Sequence, residues 1–432
     1  MEGLLTLPII DSPAMWIVYG IAAVLLVTLL CRRPTAKRVR RALIGIVVGA
    51  AVGAAAYLVS NVADAFGVDL PVEVGVWAAA AFAGVGLAIV SLWDSHVWRK
   101  IVAALSIVWF VVTAVIGINA FYGLNPNVGT LFGVVASAPI GLPALIEDRD
   151  APAQPIHTTW TPPGDMPEVG QRGTQAIPGT VSGFVARDAS VYLPPAALVK
   201  DPPALPVVIM MMGYTGNPDG TIISDVLDGF AAKHDGLAPI VIVADQLGGD
   251  GSRDPACADS TTFGNAETYV TTDVVNWARA NLNIIDDPDY WTIAGYSNGG
   301  GCAAKYAAKY PQTFQNVIDV SGEEFPGSED PDAVVTDVYG GDEGAFEASK
   351  PINIMKAAPA STYRGMTGIF SAGSEDPSFL AAARAVSTEA QTVGMDTTLF
   401  EVEGADHGGT AVSGGLDKGF EVLFPVLGLS SG

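Results

Sequence analysis

Four apolar stretches of about 20 residues within the first 121 positions constrain this 432-residue chain more than any other feature. Each is close to the roughly 20 residues that a helix needs to cross the hydrocarbon core of a bilayer. The N-terminus carries Glu2 and Asp11 rather than the basic segment of a cleavable signal peptide, so we predict that the chain stays in the membrane. The predicted spans are residues 13–30, 42–60, 72–92 and 101–119.

The loops between these spans predict the orientation of the chain. The loop after the first span holds six Lys and Arg residues between positions 32 and 41, whereas residues 61–71 hold two acids and no basic residue. Short loops rich in Lys and Arg stay in the cytoplasm, so four crossings place the N-terminus and everything after residue 121 outside it. Gly45, Gly49 and Gly53 recur at four-residue spacing, which predicts close helix packing within the chain, with a dimer face as the alternative.

Charge is distributed unevenly between the two parts of the chain. The first 150 residues contain nine basic and nine acidic side chains, and the remaining 282 contain 13 and 36, so the net charge of -23 belongs to the second part. A segment of that length can bury the core of one large domain. Its acidic surface disfavours phosphate-rich partners, and we predict no nucleic acid among them.

The second part alternates short β-branched runs with helical stretches, which is typical of a mostly parallel sheet covered on both faces. We predict a four-helix transmembrane anchor over residues 1–121, a linker or irregular arm over 122–178, and an α/β domain over 179–432. Residues 323–362 break the alternation and are a candidate lid. Predicted strands are 190–193, 206–212, 239–244, 291–294, 317–320, 366–371 and 397–402, and predicted helices are 222–234, 268–281, 301–310, 379–393 and 416–427.

The motif Gly295-Tyr-Ser297-Asn-Gly299 has the form G-x-S-x-G. In this motif a serine stands on a strained turn between a strand and a helix, with its hydroxyl clear of the sheet. A predicted strand leads into the motif and a predicted helix follows it. Ser297 is therefore a candidate nucleophile, and the alternative is a Gly-rich helix start with Ser297 as its N-cap.

A serine hydroxyl needs a neighbouring base, and after a motif of this kind the chain order is serine, acid, histidine. Among the four histidines only His407 follows Ser297, in a Gly-rich loop after the last predicted strand. Asp376 is the favoured acid because it ends the turn after the preceding strand, and Glu375 is the runner-up. Glu323 and Glu324 are a third source.

Attack on an ester also requires donors for the oxyanion. Asn298 follows the serine, and Tyr214 lies in a Gly-containing turn after an early strand, so we predict their backbone N–H groups as the two donors. Cys257 and Cys302 lie on the predicted outer side, where a disulfide is allowed, with two buried thiols as the alternative. No Cys and His cluster has metal-ligand spacing and no phosphate-binding or dinucleotide-binding motif is present, so we predict no metal and no cofactor.

These residues together resemble the putative-esterase branch of the α/β-hydrolases, which holds esterase D, feruloyl esterases and mycolyltransferases of the antigen 85 type. The resemblance covers about residues 180–427, and several segments are similar to an actinobacterial, membrane-anchored set. It implies Ser297 as nucleophile, His407 as base and Asp376 or Glu375 as acid. Many members carry His where this chain has Met212. The segments are Asp188-Ala-Ser-Val-Tyr-Leu-Pro-Pro, Met212-Gly-Tyr, Gly264-Asn-Ala-Glu-Thr-Tyr-Val-Thr-Thr-Asp-Val and Gly295-Tyr-Ser-Asn-Gly-Gly-Gly-Cys.

Three functions are compatible with these features. The leading hypothesis is a membrane-anchored extracytoplasmic serine esterase that cleaves a small-molecule, lipid or glycolipid ester of the envelope or medium through an acyl-Ser297 intermediate. The second is an acyltransferase, because the same acyl group passes to a sugar hydroxyl when water is excluded. The third is a catalytically silent membrane scaffold, which the order of serine, acid and histidine disfavours.

Overall fold

The computed structural model describes residues 2–5, 7–10, 12–63, 70–93, 95–123, 125–132, 138–249, 251 and 253–431. The chain forms two compact units, Met1–Phe132 and Gly133–Gly432. The first unit is helical, and the second contains the central sheet. Six residues of the predicted acidic loop, 64–69, lie outside the described residues.

Four described helices of the first unit are long and apolar enough to cross a membrane. The second begins earlier than predicted because the Thr35 side chain accepts a hydrogen bond from the Arg38 backbone N–H and caps it. Four of the six basic residues therefore lie in its first turns, and Arg32 and Arg33 precede it. Outward-facing side chains such as Ile17 and Val47 are more than 60% exposed, which suits helices surrounded by lipid. The helices are α1 (Pro13–Leu30), α2 (Ala36–Val62), α3 (Val72–Val90) and α4 (Val97–Tyr122).

Helices α2 and α3 pack through their backbones. A Cβ atom placed on Gly45, Gly49 or Gly53 would lie less than 3.0 Å from a carbonyl oxygen of α3. Real Cβ atoms essentially never approach that closely, so only glycine fits at these three positions. The predicted use of the glycine repeat within the chain agrees with this packing.

The second unit is built on a mostly parallel, eight-stranded sheet with the order β1-β2-β4-β3-β7-β8-β9-β10. In this order all the pairs from β4 to β10 are parallel. Strand β2 pairs antiparallel with both of its neighbours, β1 and β4. The strands are β1 (Gln171–Gln175), β2 (Ala189–Leu193), β3 (Val207–Met211), β4 (Ile240–Ala244), β7 (Trp291–Tyr296), β8 (Asn316–Val320), β9 (Thr367–Gly373) and β10 (Asp396–Val402), and β5 (Asp259–Ser260) and β6 (Gly264–Asn265) form a separate small ladder.

Helices cover both faces of the sheet, which explains why the central strands are apolar throughout. On one face α5 (Thr221–Ala231) and α12 (Gly409–Val426) pack together, and on the other α7 (Asn298–Lys309) and α11 (Pro377–Thr392) both contact α10 (Pro351–Ala357). The predicted helix over 268–281 contains one wide, π-helical turn, Tyr269–Val274, ahead of α6 (Val275–Asn281). The prediction of apolar helices followed by a mostly parallel α/β sheet is confirmed.

Two segments differ from the regular pattern in informative ways. The predicted linker contains β1, which pairs with β2 from Gln171↔Leu193 to Gln175↔Ala189, so its C-terminal part is an edge strand rather than an irregular arm. The candidate lid consists of α8 (Pro331–Asp337), α9 (Glu343–Ser349) and α10. Buried residues of α8 and α9 pack against Ala256 and Ala258. A lid function for this segment stays a prediction.

Candidate active site

Ser297 stands on a sharp turn between β7 and α7, at the carboxyl end of the sheet. Its φ of 57° and ψ of -121° are strained for a residue with a side chain. Two glycines make the turn sterically possible, because a Cβ on Gly295 would meet the carbonyl of Gly299, and a Cβ on Gly299 would meet the carbonyl of Met211. The motif thus folds as the strand-turn-helix that its sequence predicts.

His407 lies between Ser297 and Asp376. Its Nε2 is 2.9 Å from Ser297 Oγ, and its Nδ1 is 2.6 Å from Asp376 Oδ2. The imidazole packs 4.0 Å from the Phe379 ring, centroid to centroid, and the Tyr296 hydroxyl donates to the His407 carbonyl at 2.8 Å. This arrangement fixes the ring with one nitrogen toward the serine and the other toward a carboxylate, as general-base activation of a hydroxyl requires.

The three groups come from loops that follow neighbouring parallel strands. Ser297 follows β7, Asp376 follows the turn after β9, and His407 lies in the loop after β10. Asp376 is also the N-cap of α11, since its carboxylate accepts from the Phe379 backbone N–H at 3.5 Å. Parallel strands bring their carboxyl ends to one edge, which is why residues 110 positions apart in the chain meet there.

The alternative acids lie elsewhere. Glu375 has an exposed side chain, and so does Glu324. Glu323 is buried, and its Oε2 accepts from the Gly327 backbone N–H at 2.7 Å. Of the four predicted acids, the structure brings Asp376 to the imidazole.

One further carboxylate, that of Asp406, adjoins the histidine. Burial raises its pKa, and the nearby charges of Asp376 and Glu375 raise it further, whereas His407 lowers it. Asp376 is the carboxylate whose oxygen lies at hydrogen-bonding distance from the imidazole, 2.6 Å from His407 Nδ1.

The two predicted oxyanion donors belong to segments next to Ser297, and their role stays a prediction. Asn298 begins α7, so its backbone N–H is among those that have no acceptor within the helix. Gly213 packs against the nucleophile, because a Cβ on it would be 3.1 Å from Ser297 Cβ, and the peptide of Tyr214 follows directly. Met212, at the position where many family members carry His, contributes its carbonyl as an acceptor for Gln246 Nε2 at 2.5 Å.

Several polar residues around the site escaped the sequence analysis. Arg187 donates to the Gly216 carbonyl at 3.0 Å and pairs with Asp245 at 2.6 Å. Gln246 connects the Met212 loop to Asn298 at the start of α7. Asp245 and Gln246 immediately follow the apolar strand β4. Polar residues directly after a buried strand are the signal that could have identified them, because the carboxyl ends of parallel strands form the binding edge.

A disulfide joins Cys257 to Cys302, with their Cα atoms 5.4 Å apart. It ties the loop before β5 to helix α7, directly behind the nucleophile. Among the described residues, no group of three His, Cys, Asp or Glu side chains is arranged to hold a metal ion.

Comparisons with known proteins agree with this geometry. The family model described as Putative esterase matches residues 186–408, a span that contains Ser297, Asp376 and His407. An uncharacterised protein of Corynebacterium glutamicum is 34% identical over 317 residues, which cover 71% of each chain.

Solved structures extend the comparison to the fold. A ferulic acid esterase is 17% identical with a TM-score of 0.50, covering 60% of this chain and 99% of its own. An S-formylglutathione hydrolase from Agrobacterium tumefaciens is 20% identical with a TM-score of 0.50, covering 61% and 98%. At these identities the likeness establishes the α/β-hydrolase fold of the second unit. Together with the match to the family model, it shows that the chain belongs to the Putative esterase family of the α/β-hydrolases.

Proposed function

We propose that this protein is a membrane-anchored serine esterase that cleaves a carboxylic ester through an acyl-Ser297 intermediate, with Ser297, His407 and Asp376 as its catalytic residues. The observation that carries the proposal is the continuous hydrogen-bonded arrangement from Ser297 Oγ through the imidazole to Asp376 Oδ2. Family membership supports the reaction class.

The proposed reaction has two stages, acylation of the serine and hydrolysis of the acyl group. Ser297 Oγ attacks the ester carbonyl carbon while His407 Nε2 takes the hydroxyl proton, and Asp376 stabilises the imidazolium that forms. The oxyanion accepts hydrogen bonds from the N–H groups of Asn298 and Tyr214. Collapse of this intermediate breaks the bond to the alcohol, which leaves with the proton from His407. Water then attacks the acyl carbon and gives a proton to His407. The imidazolium passes this proton to Ser297 Oγ as the acyl bond breaks, and the carboxylic acid and free serine result.

The proposed location is the extracytoplasmic side of a membrane, with an ester of the envelope or medium as substrate. The four apolar helices and the basic first turns of α2 support it. Labelling of introduced cysteines in a Cys31→Ser background tests it with a membrane-impermeant maleimide. We expect Ala151→Cys to react in intact cells and Thr35→Cys to react only after lysis. The opposite pattern would reverse the orientation.

The reaction is tested with a fluorophosphonate probe and a chromogenic short-chain ester on the purified full-length protein. We expect Ser297→Ala to lose both probe labelling and at least about 10⁴-fold of turnover, because the nucleophile is absent. Ser224→Ala is the matched control, since that hydroxyl is buried in α5 and donates to the carbonyl of Gly220, the N-cap residue of the same helix. Near wild-type turnover in Ser297→Ala would refute the assignment.

A further inference from the structure

Gln246 is a buried amide that joins the Met212 loop of the active site to the start of α7. Only 3% of its surface is exposed. Its Nε2 donates to the Met212 carbonyl at 2.5 Å and to Asn298 Oδ1 at 3.1 Å. Met212 is two residues before Tyr214, and Asn298 follows Ser297, so one side chain connects the segments that carry both proposed oxyanion donors.

The direction of these hydrogen bonds is determined by the groups at the two ends. The Met212 carbonyl can only accept, so Gln246 must present its NH₂ group there. Asn298 Nδ2 in turn donates to Asp254 Oδ2 at 2.9 Å, which leaves Asn298 Oδ1 as the acceptor for the second N–H of Gln246. Because each amide is oriented by its neighbour, the bridge has one arrangement rather than two.

Both ends of the bridge are held by independent contacts. Asp254 accepts from the Ala256 backbone N–H at 2.7 Å, beside the disulfide that joins Cys257 to α7. The far end of the Met212 loop is held by Arg187, which donates to the Gly216 carbonyl and pairs with Asp245. The consecutive residues Asp245 and Gln246 therefore anchor this loop near both of its ends.

We infer that Gln246 is a positioning residue that holds the Tyr214 and Asn298 N–H groups at the separation the oxyanion requires. The inference deepens the proposed function and rests on it. Oxyanion donors act only within about 2.7–3.1 Å of the developing charge, and a displacement of about 1 Å can cost about 10²-fold in rate. Without the bridge, the Met212 loop is free to move away from the start of α7 while Ser297, His407 and Asp376 keep their contacts.

The test replaces Gln246 by Met, which has a similar length and no N–H donor. We expect kcat to fall about 10- to 100-fold with KM within about threefold, because the donors act on the transition state more than on the bound ester. Binding of an alkyl boronic acid, which forms a tetrahedral adduct with the serine, should weaken in parallel with kcat/KM. A residue that only supports folding would not produce this parallel loss.

Asn316→Leu is the matched control. Asn316 is 1% exposed, and its Nδ2 donates to the carbonyls of Asp289 and Trp291 at 2.9 and 3.3 Å, at the opposite end of the sheet. Its replacement also removes a buried bridging amide, so it should lower the unfolding temperature while leaving kcat within about twofold. If Gln246→Met fails to fold, Gln246→Asn keeps a buried amide that is too short to reach both acceptors, and we expect a loss of about tenfold in kcat.

The possible outcomes distinguish failure of this inference from failure of the proposed esterase function. A wild-type protein that neither hydrolyses esters nor reacts with fluorophosphonate would refute the proposed function. An active wild type with unchanged kcat in the folded Gln246 variants would overturn only the positioning role. Equal losses of kcat in the Gln246 and Asn316 variants would overturn it as well, because the effect would then follow general stability.

Discussion

Replacing Asp376 by Asn tests the acid of the catalytic arrangement with little change in folding. Asn caps a helix about as well as Asp, so α11 should keep its N-cap, and the residual hydrogen bond to the Phe379 N–H can persist. What changes is the 2.6 Å contact with His407 Nδ1, where an amide lacks the negative charge and favours the wrong tautomer of the imidazole.

The structure sets the size of the expected effect. The carboxylate lies directly on the imidazole and is largely shielded from water, since its side chain is 10% exposed. Losing such a partner in a serine-hydrolase triad costs about 10³- to 10⁴-fold in kcat, which corresponds to about 4 to 5.5 kcal/mol of transition-state stabilisation. Substrate affinity should change little, because Asp376 acts through His407.

Glu375→Gln is the control in the adjacent position. Its side chain is exposed, so we expect a loss of less than about tenfold. Steady-state hydrolysis of a chromogenic ester gives kcat and KM, and thermal unfolding checks that both variants fold. The reverse ranking of the two variants would transfer the role to Glu375, and near-normal rates in both would direct attention to Glu323 or Glu324.

Two further predictions concern the stability of the second unit. Removing the Cys257–Cys302 disulfide, which has a sequence separation of 45, should lower the free energy of unfolding in urea by about 4 kcal/mol through loop entropy, and an unchanged value would contradict that origin. Burial raises the pKa of Asp319 from 3.8 to about 7, so the folded state binds the carboxyl proton more tightly than the unfolded state does. The contribution of this proton to the free energy of unfolding is lost as the pH rises from about 4 to 7. Asp319→Asn should therefore stabilise the protein more at pH 8 than at pH 5, and an equal effect at both would refute the assignment.

Local pattern was sufficient to predict the parallel strands and the serine turn. Strands such as β3 and β4 are continuous apolar runs because both of their faces are buried, and the strained Ser297 turn needs the two glycines that the motif supplies. His407 followed by elimination, because the other three histidines precede the serine.

The rest depends on contacts between distant positions. Strand β1, with the sequence QRGTQ, has no apolar alternation, and it becomes a strand through backbone pairing with β2 and with the segment around Pro139. Gln246 and Asn298 are 52 residues apart, and neither belongs to a motif that would connect them. The choice between Asp376 and Glu375 likewise required the direction of each side chain, which cannot be predicted for two adjacent residues in a turn.

The backbone contact between α2 and α3 has a consequence for how the helical unit can move. A screw motion of α2 by one residue, a rotation of about 100° with a rise of about 1.5 Å, would bring Ile46 to the place of Gly45, where even the Cβ of alanine is too large. Rotation of α2 against α3 is therefore sterically blocked, and the two helices keep the same faces toward each other. Helices α1 and α4 contact each other and α3 through side chains, such as the Trp109 indole that donates to the Val18 carbonyl. Side-chain interfaces tolerate small shifts, so rotation of a helix within this unit would have to take place at α1 or α4.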